Sequence, residues 1–222
     1  MEIEHCNFPD NLLYDPENHT WARISKTGEV TVGITSLLAS LAGRIVSCRP
    51  KPVGHVVNRS GNLGTIESQR FVGPAPSPLT GIVVEVNEKI VQNPKLLNDS
   101  PYSEAWIAII KATKLDEEAP SLSSSHDAER VFRREIDAHH VRCFKLFPDQ
   151  ELYEIGAECS EVLIKLNQTF SELPLGGVVH VVSDDPTAVV EMTRWTDLSG
   201  QSLIEYRPEG NLTHFIVRKD RA

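Results

Sequence analysis

The segment Leu115 to Glu129, LDEEAPSLSSSHDAE, limits what this chain can fold into more than any other stretch. It is acidic, then rich in proline and serine, and its two isolated leucines follow no periodicity that would bury a face. That composition reads as a linker. It predicts two domains, residues 1–114 and residues 130–222, with 115–129 between them. The length of 222 residues admits this division, and a content of 40% hydrophobic and 24% charged residues suffices for buried cores, which excludes a disordered chain.

The two domains differ in pattern. In the first, Val30–Ile34, Gly64–Glu67, Gly81–Val86 and Ala105–Ile110 are short, β-branched and bounded by turn residues, and one short helix is expected over Ser36–Leu41. Pro74, Pro76 and Pro78 require an extended crossing, so the expected fold is an all-β barrel or sandwich. In the second, Val162, Leu163, Leu166, Phe170 and Leu173 share a helical face after a short strand at Glu151–Ile155. Val178–Val182 is a strand, and Asp184-Asp185-Pro186 predicts a second helix with a cap and a proline in its first turn. Two closing strands near Ser202–Arg207 and His214–Arg218 complete an α/β two-layer sandwich.

Charge and punctuation narrow the partners. Lys plus Arg is 22 against Asp plus Glu 31, a net charge of −9 that repels phosphate backbones and anionic bilayers, so neither nucleic acid nor membrane is an expected partner. Residues 1–6, MEIEHC, lack the basic and apolar regions of a secretory leader, and no stretch approaches a membrane span; a cytoplasmic location is expected. The four cysteines, Cys6, Cys48, Cys143 and Cys159, show no paired spacing, so most are expected as free thiols without a disulfide framework or zinc ribbon.

Ordered matches in the first domain carry a resemblance: YDPENHTW at Tyr14–Trp21, VTVGIT at Val30–Thr35, GTIES at Gly64–Ser68, LTGIVVEVN at Leu79–Asn87, LNDSPY at Leu97–Tyr102, and Ala105-Trp106. This part resembles the glycine-cleavage-system H protein. The resemblance implies a lipoyl-type barrel-sandwich hybrid carrying a lipoyl arm on a hairpin lysine and shuttling an aminomethyl group. In the family pattern one residue follows Glu-Ser before that lysine; here Glu67-Ser68-Gln69 leads to Arg70. A guanidinium is protonated and delocalised and cannot act as the amine nucleophile of lipoylation, so no lipoate cofactor is expected. The nearest lysines, Lys51 and Lys89, are too distant in sequence to occupy the same turn.

The second domain has Gly156-Ala157-Glu158-Cys159-Ser160-Glu161-Val162, Leu173-Pro174-Leu175-Gly176-Gly177, Ser183-Asp184-Asp185-Pro186-Thr187 and Phe215-Ile216-Val217-Arg218-Lys219. These resemble the TusA-type sulfur carriers, whose motif is a glycine, two residues, then Cys-Pro-x-Pro at the first helix. Ser160 and Val162 replace both prolines, and Tyr153 stands where the family has an acidic residue. The resemblance implies that Cys159 is the persulfide-carrying residue. A helix N-terminus favours its thiolate, whereas Glu158 and Glu161 oppose it.

Other candidates are weaker. His139 and Cys143 in HHVRC share a helical face but lack further metal ligands, Asp184 and Asp185 read as caps, and Val131–Ile136 reads as an amphipathic helix docking the linker on one domain. No independent catalytic motif is present. The expected function is an accessory protein: an H-like domain without its lipoyl arm, fused to a sulfur-relaying domain that works with sulfur donors, acceptors or lipoate-dependent enzymes. A non-catalytic adaptor that has lost both carrier sites is the alternative, and an aminomethyl carrier would need lipoate on an unexpected residue.

Overall fold

A computed structural model describes residues 1–221, and the side chain of Cys159 lies outside the described residues. The chain forms two compact units, Met1–Cys143 and Phe144–Ala222. The first opens with β1 (Glu2–Ile3), β2 (Cys6–Asn7), β3 (Leu13–Asp15), β4 (Thr20–Ile24) and β5 (Glu29–Ile34). Helix α1 (Ser36–Ala42) leads to β6 (Ile45–Pro50), β7 (Val56–Val57), β8 (Asn62–Ser68), β9 (Val72–Pro76) and β10 (Gly81–Val86). After α2 (Glu88–Gln92), α3 (Leu96–Asp99) and β11 (Ala108–Ala112) come α4 (Leu115–Glu118), a 3₁₀ turn at Ala119–Ser121 and α5 (Ser125–His139).

Period-two alternation builds two sheets here. A six-stranded sheet runs β3-β4-β5-β11-β10-β7, and a three-stranded one runs β6-β8-β9. Val30, Val32, Ile34, Val83 and Ile110 from the first share a core with Cys48, Leu63, Ile66 and Ala75 from the second. Pro74 and Pro76 lie in β9, an edge strand, where a missing N–H breaks no ladder. Thr35 caps α1 by accepting a hydrogen bond from the Leu38 N–H. Trp21 and Gly33 are cross-strand partners, and a Cβ on Gly33 would sit 2.5 Å from the indole ring, so only glycine fits. The indole N–H then reaches the Pro101 carbonyl at 3.0 Å.

The stretch 115–129 is no linker. The Glu118 carboxylate accepts from the Thr80 N–H at 2.6 Å and from the Thr80 hydroxyl at 2.7 Å, Leu122 is buried in the barrel core, and Ser123 bridges to Tyr14. Ser124 caps α5, and Ala128, Phe132 and Ile136 on one face of that helix join a second cluster with Ile3, Phe8, Leu12, Tyr14 and Leu37. The helix read over Val131–Ile136 exists and packs within the first unit, so residues 130–143 belong there and the boundary falls at Cys143. Glu118→Ala strands the buried Thr80 donors and should cost about 1–3 kcal/mol of first-unit stability in urea unfolding of the full chain. Glu118→Gln, which keeps an acceptor, should recover much of that loss.

The expectation of free thiols also needs correction, because Cys6 and Cys143 form a disulfide with Cα atoms 5.0 Å apart at a sequence separation of 137. It is part of the Phe132 cluster. No spacing motif could announce a pair that joins the two ends of a unit.

The second unit comprises β12 (Gln150–Glu154), α6 (Cys159–Glu172), β13 (Val178–Ser183), α7 (Ala188–Ser199), β14 (Ser202–Glu209) and β15 (Leu212–Arg218). Its sheet order is β12-β13-β15-β14, with β12 and β13 parallel and the other pairs antiparallel. Val162, Leu166 and Phe170 of α6 and Ala188 and Met192 of α7 bury against Val179, Val181, Phe215 and Val217, which makes the two layers. The Lys219 ammonium donates to the carbonyls of Phe170 and Leu173 and so neutralises the C-terminal end of α6. Helix α7 departs from the sequence reading: Pro186 precedes it, and the Asp185 carboxylate accepts from the Thr187 N–H and hydroxyl, closing a turn before the helix.

Candidate functional site

The parallel strands β12 and β13 end at one edge of their sheet, and α6 and α7 both begin there. The connection from β12 to α6, residues 155–158, is therefore the segment that delivers Cys159, the first residue of α6. Gly156 turns this loop with φ +74, a conformation that L side chains rarely adopt, and its N–H donates to Asp184 Oδ1 at 2.7 Å. Immediately upstream, Glu154 accepts from the Lys165 ammonium of α6 at 2.5 Å. Glu158 takes the extended cap conformation without a side-chain cap hydrogen bond, and its carbonyl accepts from the Glu161 and Val162 N–H groups at the positive end of the helix dipole. Glu158 and Glu161 are exposed beside that end. Val162, which stands at the family's second proline position, is buried in the core and anchors the first turn by packing.

The remaining cysteines are withdrawn from exchange chemistry. Cys6 and Cys143 are joined, and burial among the barrel side chains pushes the Cys48 thiol up to about 12. The HHVRC segment is absorbed structurally: His139 lies 3.5 Å from Glu135, His140 ends α5 in the left-handed conformation, and Cys143 is in the disulfide. Among the described residues no group of three or more His, Cys, Asp or Glu is arranged to hold a metal ion.

Arg70 lies in the other unit, exposed at the tip of the β8–β9 hairpin. Ser68 shapes that tip: its hydroxyl accepts from the N–H groups of Arg70 and Phe71 and donates to the Ala42 carbonyl. Sequence reasoning missed one polar constellation. His180 Nε2 and His214 Nδ1 meet at 2.9 Å, both buried, with Glu151 and Glu209 carboxylates 3.8 and 3.2 Å from their outer nitrogens. The available signal was one histidine inside each of two apolar strand runs, which does not reveal that their strands are neighbours.

The family model described as Glycine cleavage H-protein matches residues 12–135. The chain belongs to that family. The H-protein match runs through α4 and most of α5, in agreement with the packing that places both in the first unit. The model described as Sulfurtransferase TusA matches residues 153–219 of the second unit. Glycine cleavage system H protein 2 of Aquifex aeolicus (strain VF5) is 36% identical over 142 residues, covering 64% of this chain and 88% of that protein. Probable glycine cleavage system H protein 3 of Saccharolobus solfataricus is 40% identical over 116 residues, covering 52% and 82%. A crystal structure of a glycine cleavage system H protein from Mycobacterium marinum superposes with a TM-score of 0.50 at 27% identity, covering 55% of this chain and 97% of that one. The protein is thus an H-protein unit fused to a TusA-type unit, the two families being ones that work through protein partners. No helix among the described residues is long and apolar enough to cross a membrane.

Proposed function

We propose that this protein is a sulfur-relay accessory factor whose TusA-type unit carries sulfur as a persulfide on Cys159. The observation that supports it most is the fate of the cysteines: three of the four are paired or buried with a raised thiol, and the fourth opens a helix at the carboxyl edge of two parallel strands. In the transfer, the Cys159 thiolate attacks the outer sulfur of a donor persulfide. A new S–S bond forms to Cys159, the donor's S–S bond breaks, and the donor leaves as its thiolate; no external oxidant is consumed.

The H-protein unit then serves for docking on lipoate- or thiol-handling enzymes. Arg70 at the hairpin tip supports this, because a guanidinium accepts no lipoyl amide yet can pair with a carboxylate. We read the unit as lipoate-free.

The test is intact mass of the full chain from its native host, before and after incubation with a cysteine desulfurase and cysteine. A gain of about 32 Da, one sulfur atom, that disappears in Cys159→Ser supports the relay. Absence of any gain sinks it and leaves the docking function alone. A lipoyl adduct in the native-host material would restore the aminomethyl-carrier reading that the H-protein resemblance implies.

A further inference from the structure

We propose that Asp184 is a positioning residue for Cys159, acting through the backbone of the loop that delivers it; the inference rests on the sulfur-carrier reading above. Asp184 directly follows β13, and its carboxylate accepts from the Gly156 N–H, three residues before Cys159. Capping of α7 does not account for it, because the neighbouring Asp185 makes the turn contacts to Thr187. Steric contact at Gly156 does not account for the turn: Ala157 packs on the sheet-and-helix core, but nothing lies within 4 Å of where a Gly156 side chain would begin, so at Gly156 itself the hydrogen bond is the contact that holds the peptide. The upstream end of the loop is fixed separately, by Glu154 and Lys165. These two tethers, with the packing of Ala157, set where the first residue of α6 is presented.

The two ways in which Asp184 could influence the thiol separate by substitution. Asp184→Asn removes the negative charge but keeps an oxygen that accepts from Gly156, whereas Asp184→Ala removes both. Positioning predicts that Asp184→Ala slows desulfurase-dependent loading of Cys159 by about tenfold, while Asp184→Asn stays within about twofold of the native rate. Amide hydrogen exchange at Gly156 should quicken in Asp184→Ala and not in Asp184→Asn, with unchanged thermal unfolding of the full chain.

Native-like loading in Asp184→Ala would overturn the proposal, as would an Asn variant as slow as the Ala variant. If the native chain accepts no sulfur at all, the sulfur-carrier reading fails by itself. Asp184 is then judged from Gly156 exchange and from the rate at which iodoacetamide alkylates Cys159 in the three proteins. The same ordering upholds the positioning role, and equal rates overturn it.

Discussion

Reduction of the Cys6–Cys143 disulfide lowers the unfolding free energy of the H-protein unit by about 5 kcal/mol on the loop-closure account. The size follows from the ring: the cross-link spans 137 residues, nearly the whole unit, so it removes most of the end-to-end freedom of the unfolded segment. Native geometry adds to this, since Cys6 is fully buried and Cys143 nearly so within the aromatic cluster, and a reductant reaches the bond mainly through opened states. The measurement is guanidinium unfolding of the full chain with and without reductant, repeated with Cys6→Ala/Cys143→Ala. The double variant should reproduce the reduced protein and lose its response to reductant. A shift below about 1 kcal/mol would show that the pair contributes no constraint. The TusA-type unit, which holds neither cysteine, should unfold at an unchanged midpoint.

Phe132→Ala should cost the same unit about 3–5 kcal/mol. Phe132 is fully buried, stacks on Phe8 with ring centroids 4.0 Å apart and meets Tyr14 edge-on at 5.4 Å. Removing the ring therefore loses transferred apolar area, two oriented aromatic contacts, and the seat of the N-terminal segment, and leaves a cavity between elements that cannot easily close. Urea unfolding reads the loss. An exposed control, Arg130→Ala on the same helix, should change stability by less than about 0.5 kcal/mol. Loss of stability confined to the TusA-type unit would contradict the assignment of α5. Because Phe132 shares its cluster with the disulfide, the two changes should not add, and a double-mutant cycle should show coupling.

Much of the architecture was legible where a residue's role is set by near neighbours. The β-branched runs that became β5, β10 and β13, the Thr35-capped α1, and the apolar face of α6 all follow from local periodicity and capping. The region 115–129 was misread because, apart from the Ser124 cap of α5, its contacts are non-local. Glu118 serves Thr80, Leu122 fills a barrel formed much earlier in the chain, and Ser123 pairs with Tyr14. Composition sees a serine-rich acidic stretch in each of these. The cysteines show the same limit in covalent form.

The candidate site was legible in its address and not in its support. Sequence placed Cys159 at a helix start, yet the bond from Gly156 to Asp184 crosses from one parallel strand's end to the next and has no sequence signature. The Asp184-Asp185 pair, read as one cap, divides into two unlike tasks, since one carboxylate closes the turn before α7 and the other reaches back to an earlier loop. Neighbouring identical residues give composition nothing with which to distinguish them.

The disulfide closes its ring at Cys143, one residue before the second unit begins at Phe144. The TusA-type unit is therefore a pendant outside the covalent loop, attached through a single peptide junction. A protease cut anywhere between the two cysteines leaves the H-protein fragments covalently joined, whereas a cut just past Cys143 severs the covalent link to the TusA-type unit without opening the ring. In the logic of gene fusion, the junction is where one module can be exchanged for another without opening the ring.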